Sequence, residues 1–200
     1  FENVGQWKRA WYYPINNESM DEAVQRESKA ARESAGILDA STLGKIDIQG
    51  TDASEFLNRV YTNAWSKLAI GKCRYGLMLN EDGMVYDDGV TTRLDENHYI
   101  MTTTTGGAAN VMGKLEDFLQ TEWPELDVFL TSITDHFATI SVCGPNSKKI
   151  LNKIIPSLDL SDENFPHMSF KNDLIGKIKC RVMRISFTGE HSYEINIQSN

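Results

Sequence analysis

The sequence predicts an α+β fold built mainly of antiparallel sheets with flanking helices. Three observations carry this expectation. Strand-like segments outnumber helical ones, and they often follow one another across short turns. One pair forms a plain hairpin, with strand-like residues 75–79 and 84–92 on either side of Asn80-Glu81-Asp82-Gly83, a strong turn sequence. A doubly wound parallel sheet would need strands and helices to alternate, and they do not.

Each element has its own signal. The opening FENVGQWKRAWYYP carries Trp7, Trp11, Tyr12 and Tyr13 without a clear period and stops at Pro14, so it reads as an extended arm or a docking surface for another segment. Ser19 and Glu22 have capping-box spacing ahead of a helix-favouring run that Gly36 ends. Residues 44–49 alternate as a strand, and Thr51 or Asp52 caps a helix with Phe56, Leu57 and Val60 on one side. After the hairpin comes a strand at His98–Thr103, then a helix to about Gln120 with Val111, Leu115, Phe118 and Leu119 on its apolar face. Strands at 127–132 and 137–143 follow, and Gly144-Pro145 opens a helix bearing Ile150, Leu151 and Ile154. Two strands, Lys177–Phe187 and Tyr193–Ile197, complete the order.

Bulk properties exclude several classes. The chain of 200 residues can hold one large core or two small ones. A net charge of −8 argues against nucleic-acid partners, whose binding faces are basic. No apolar run approaches the roughly 20 residues that span a bilayer, and no basic segment followed by an apolar one marks a leader. Cys73, Cys143 and Cys180 are far apart and strand-borne, which suits buried free thiols in a reducing cytoplasm. The four histidines show no metal-ligand spacing, so no metal site is expected. Without a starting Met, and stopping at Ile197-Gln198-Ser199-Asn200 in or just after a strand, the chain reads as a piece of something longer.

The chemistry-bearing candidates lie on strands. Asp87 and Asp88 sit on the return limb of the hairpin. Strict alternation puts Met84, Tyr86, Asp88 and Val90 on one face and Val85, Asp87 and Gly89 on the other. Asp88 is then aligned with apolar residues on the face expected to be covered, where a carboxylate must find a partner, stay neutral or serve a ligand. The plainer reading is an acid pair that keeps an edge strand soluble. TTTTGGAAN (102–110) places small residues before a helix N-terminus, a plain turn or an anion cradle, but it lacks the Lys of a phosphate loop. In SFTGEHSYEINI (186–197), Tyr193, Ile195 and Ile197 share a face and leave Glu194 and Asn196 on the other. Glu194 is either solvated or able to accept paired N–H bonds from a planar heterocycle. Lys177, Lys179 and Arg181 form a basic stripe that is either solvated or faces an acidic ligand tail or partner.

Taken in order, GILDASTLGKIDIQG (36–50), YTN (61–63), RYGLMLNEDGMVYDDGV (74–90), CGPN (143–146) and FTGEHSYEI (187–195) resemble the folate-binding aminomethyltransferase family, to which the glycine cleavage T-protein belongs. QWKRAWYYP (6–14), TTTTGGAA (102–109) and EWPELDV (122–128) are similar to the branch formed by alpha subunits of heterotetrameric sarcosine oxidases. The resemblance implies a T-protein-like fold, truncated at the C-terminus. An N-terminal arm and helix would occupy 1–35 and a folate-binding region 36–200, without the family's downstream barrel. It puts the folate-contacting, catalytic acid on Asp88, the pterin-binding glutamate on Glu194, a ligand-site tyrosine on Tyr75 and an apolar contact on Leu43. His167-Met168 stands where T-proteins carry a tyrosine pair. Tetrahydrofolate is the implied cofactor of this region. FAD, FMN and NAD are implied for the intact complex, with the other sarcosine oxidase subunits as partners and sarcosine as substrate. No nucleic-acid or membrane partner is implied.

Overall fold

The computed structural model describes residues 1–199. In chain order the elements are β1 (Glu2–Val4), β2 (Trp7–Arg9), α1 (Met20–Glu33), β3 (Gly36–Asp39), β4 (Gly44–Gln49), α2 (Ala53–Val60), β5 (Cys73–Leu79), β6 (Val85–Asp95), β7 (His98–Thr103), α3 (Ala108–Asp117), β8 (Phe129–Ser132), β9 (Phe137–Cys143), α4 (Ser147–Ile154), β10 (Ser169–Ile175), β11 (Ile178–Arg184) and β12 (Ser192–Gln198). Every strand pairing is antiparallel, so the α+β expectation holds. The chain divides into two units, one formed by residues 1–42 and 135–199, the other by 43–134.

In the first unit, β1 and β2 make a small hairpin from the arm. The expected N-terminal part, residues 1–35, belongs to this unit. The capping box of α1 forms as its spacing requires, with the Ser19 N–H donating to Glu22 Oε2 at 2.9 Å and the Glu22 N–H to Ser19 Oγ at 3.4 Å. Arg26 ties the arm to this helix through Glu18 and the Tyr13 carbonyl. A five-stranded sheet, ordered β10-β11-β12-β9-β3, follows. One of its faces packs Val142, Val182, Tyr193 and Ile195 against Leu151 of α4 and against Ile155, Leu158, Leu160 and Phe165. The other face carries polar residues.

The second unit holds a sheet ordered β5-β6-β7-β4-β8. Its core joins Ile46, Ile48, Tyr99 and Met101 from the sheet to Phe56, Leu57 and Val60 of α2 and Val111 and Leu115 of α3. The 3.6-residue spacing on both helices turns those apolar side chains to one side. A π-helical turn, Phe118–Glu122, extends α3 and stacks Phe118 on Trp123.

Several elements differ from expectation. Strands β1, β2, β3 and β10 were not foreseen. In β10 the run Lys171-Asn172-Asp173 breaks any apolar alternation, which an edge strand tolerates. Strand β3 has three exposed residues in four, so it too lacks a pattern. Asp52 precedes α2 but does not cap it; its carboxylate accepts from the Asp127 N–H at 2.9 Å.

Gly89 is where β6 and β7 approach most tightly, since a Cβ there would sit 1.8 Å from the Thr102 carbonyl oxygen. Gly89→Ala is expected to destabilise the protein by about 3 kcal/mol, a fall in Tm on the order of 10 °C. Gly113, on the exposed side of α3 with nothing within 4 Å of its Cβ position, is the opposite case. Gly113→Ala should stabilise by about 0.5–1 kcal/mol. Thermal unfolding of both variants checks the contrast.

Candidate active site

The hairpin that carries the acids is held from its edge. The Tyr61-Thr62-Asn63 segment runs along β5: the Thr62 N–H donates to the Leu77 carbonyl at 2.9 Å, the Leu77 N–H to Thr62 Oγ1 at 3.0 Å, and Asn63 Nδ2 to the Tyr75 carbonyl at 2.7 Å. Arg74 adds a bond to the Ala64 carbonyl. These bonds fix β5, and the ladder to β6 then fixes the acids.

That ladder is not regular. Leu77 pairs with Asp88 and Met78 with Asp87, but Leu79 pairs with Val85, so Tyr86 is an extra residue. The bulge overturns the strict alternation expected for residues 84–90. Tyr86 packs against the core of the unit, while Met84 is 65% exposed. Asp87, opposite the core residue Met78, is the buried acid at 4% exposure. Asp88, opposite Leu77, is half-buried on the other face. The placement of Asp88 on the covered apolar stripe is therefore corrected, because one inserted residue reverses side-chain parity.

Asp88 nevertheless has a built setting. Tyr75 Oη donates to Asp88 Oδ2 at 2.7 Å, across the diagonal of the β5–β6 pair. This bond raises the Tyr75 phenol pKa, helped by burial and by the negative charges of Asp88 and Asp87.

Asp87 faces the other way and is clamped. Thr104 Oγ1 donates to Asp87 Oδ1 at 2.6 Å, and the Thr104 N–H donates to Oδ2 at 3.2 Å. The Gly107 N–H donates to Thr104 Oγ1 at 3.1 Å. The TTTTGG turn thus meets a carboxyl group, and that group is the protein's own Asp87. Burial raises the Asp87 pKa and the charge of Asp88 adds to this, while the two Thr104 bonds pull it down. Tyr61 completes the cluster. Its buried hydroxyl has no hydrogen-bond partner, and burial together with the charges of Asp87 and Asp88 raises its pKa.

The remaining expected residues have settings of their own. Leu43 is half-buried just before β4, and its carbonyl accepts from Lys45 Nζ at 3.0 Å. Glu194 belongs to the first unit, half-buried on the polar face of its sheet between Met183 and Ser141. As expected, Tyr193 and Ile195 lie in the core while Glu194 and Asn196 take the opposite face. On that face Thr139, Ser141, Ser192 and Asn196 are buried, and Thr139 Oγ1 donates to Asn196 Oδ1 at 2.7 Å. In the basic stripe, Lys179 and Arg181 line a cavity of about 520 Å³, while Arg181 is also bonded to Asn172 and lies over Phe170.

Sequence reasoning paired Tyr75 with Asp88 only through resemblance, and it missed the roles of Asp87, Thr104 and Tyr61. The one available signal was the proximity of the small-residue turn to a strand that follows the hairpin. Among the described residues, no group of three or more His, Cys, Asp or Glu is placed to hold a metal, and no helix is long and apolar enough to cross a membrane. The three cysteines are buried, as expected, and no disulfide joins them.

Comparison with known proteins decides the family. The model of the GCVT N-terminal domain matches residues 1–200. The chain belongs to that family. The sarcosine oxidase alpha subunit of Corynebacterium sp. strain U-96 is 58% identical over 198 residues, which are 98% of this chain and 20% of that protein. The chain therefore spans about a fifth of that relative's length. The crystal structure of the glycine cleavage aminomethyltransferase T from Bartonella henselae shares the fold, with a TM-score of 0.74 at 24% identity over 88% of this chain and 45% of that one. A heterotetrameric sarcosine oxidase from Corynebacterium sp. U-96, in complex with pyrrole 2-carboxylate, matches with a TM-score of 0.58 at 13% identity over 87% of this chain and 82% of that one.

Asp88→Asn should let Tyr75 ionise at lower pH, because the acceptor's charge, which favours the protonated phenol, is removed. Titration of carbon-labelled tyrosine by NMR reads this directly. An unmoved Tyr75 resonance would mean that the bond does not form in solution.

Proposed function

We propose that this chain is the folate-binding part of a sarcosine oxidase alpha subunit, in which tetrahydrofolate takes up the one-carbon unit of oxidised sarcosine and glycine is left. The Tyr75–Asp88 pair is the observation that carries the reading. A half-buried carboxylate oriented by a phenol suits an amine-bearing ligand. Tyr75 bonds one of its oxygens, and a carboxylate's other oxygen can accept from an N–H donor.

The demand of the reaction matches these residues. An amine nitrogen that attacks an iminium carbon must give up a proton, and positive charge develops along the way. Asp88 orients the amine, accepts that proton and stabilises the cation. Tyr75 holds the carboxylate in place during the transfer. Glu194 suits the ring N–H pair of a pterin, since two carboxylate oxygens match two parallel donors. Leu43 supplies an apolar contact. When bound, tetrahydrofolate supplies the nucleophilic amine. The oxidative half-reaction, with FAD, FMN and NAD, is assigned to other parts of the complex. The other subunits of a heterotetramer are the proposed partners, in a cytoplasm that keeps the three buried thiols reduced.

In the intact complex, Asp88→Asn is expected to slow folate-dependent capture about 10²-fold or more while sarcosine-dependent peroxide formation continues. An unchanged yield of methylenetetrahydrofolate would overturn the assignment. Glu194→Ala should weaken tetrahydrofolate binding in a titration of the same complex. No binding by the unaltered complex would instead indicate a non-catalytic assembly module.

A further inference from the structure

We propose that Asp87, Thr104 and Gly107 form a register lock that positions Asp88, with Asp87 as a positioning residue that touches no substrate. The inference rests on the proposed role of Asp88 and deepens it. A bulge can be absorbed by a one-residue slip, and a slip exchanges the two faces of a strand. Between neighbouring acids that exchange would turn Asp88 toward Thr104 and present Asp87 to Tyr75. Nothing in the acid pair itself selects one arrangement, because the two side chains are chemically identical.

The selection comes from the surroundings. Thr104 offers two donors, at 2.6 and 3.2 Å, to the inward carboxylate. Its Oγ1 is in turn set by the Gly107 N–H. Gly107 leaves the required space, since a Cβ there would lie 2.6 Å from Asp87 Oδ1. On the other face of the sheet, Tyr75 accommodates the second acid at 2.7 Å. The lock also joins the turn that starts α3 to β6, so Asp88 is fixed to the core of its unit through its neighbour. A buried polar group that sets register is a recognised use of such groups, and misplacing a reacting group by about 1 Å costs up to 10²-fold in rate.

The test uses the intact complex with Thr104→Val, Thr104→Ser and Gly107→Ala. Thr104→Val and Gly107→Ala should lower kcat of folate-dependent capture about 10- to 100-fold with the folate KM changed less than about threefold and full folate-binding stoichiometry. Thr104→Ser, which keeps the hydroxyl, should restore the rate. Independently of activity, the Tyr75 titration that Asp88→Asn lowers should move back up when Thr104→Val is added, because the slipped strand presents Asp87 to Tyr75, and should stay lowered when Thr104→Ser is added instead. Unchanged kcat in both Thr104→Val and Gly107→Ala, with a Tyr75 titration that neither change moves back up when added to Asp88→Asn, would overturn the lock. The Tyr75 readout separates the two ideas: if Asp88→Asn leaves capture intact, the catalytic reading fails, while Tyr75 still reports whether the lock sets register. Should Thr104→Val not fold, Gly107→Ala, which removes no hydrogen bond, decides the question alone.

Discussion

The buried carboxylate of Asp87 is the constraint around which the second unit is arranged. Removing a charge from water carries a penalty of several kcal/mol after relaxation. Hydrogen bonds to a charged group return about 1.5–3 kcal/mol each; the two from Thr104 lower the Asp87 pKa, while burial and the charge of Asp88 raise it above its ordinary value. The group is held because the sheet, the turn at 104–107 and the start of α3 all converge there. Its chemical neighbour, Asp88, is left half-exposed beside a phenol, so adjacent identical residues do different work.

Strands carry Tyr75, Asp87, Asp88 and Glu194, whereas Leu43, Tyr61 and Thr104 lie outside them. This matters for precision, because groups on paired strands are held by ladders on both sides. Asp88 has β5 on one flank and β7 on the other, and Glu194 lies on β12 between β9 and β11. Each unit has its own apolar cluster beneath its sheet. In the first unit the opposite face carries buried polar groups, where Thr139 Oγ1 donates to Asn196 Oδ1 across strands while Asn196 Nδ2 has no hydrogen-bond partner. Such a face is costly to build unless its donors and acceptors are satisfied.

The acidic charge of the chain is distributed through local pairs. Arg26 binds Glu18, Arg32 binds Glu190 and Arg184 binds Asp162. The first of these lowers the Glu18 pKa to about 2, chiefly through the Arg26 hydrogen bonds. The first two are surface contacts that orient the arm and the turn at Thr188-Gly189-Glu190 more than they stabilise the fold, since exposed pairs contribute little.

Much of the architecture was legible in the residues. The turn Asn80–Gly83, the capping box at Ser19 and the opposed faces of β12 each depend on neighbours in sequence, so local chemistry reveals them. Family membership was likewise readable, because several motifs occur in the right order. Edge strands β3 and β10 were not legible, since an edge needs no apolar alternation. Nor was the bulge at Tyr86, which contains no glycine or proline to mark it and arises from how β5 and β6 meet. Which acid is buried therefore depended on the tertiary structure: Thr104 lies 17 residues beyond Asp87, and only folding brings its two donors to that carboxylate.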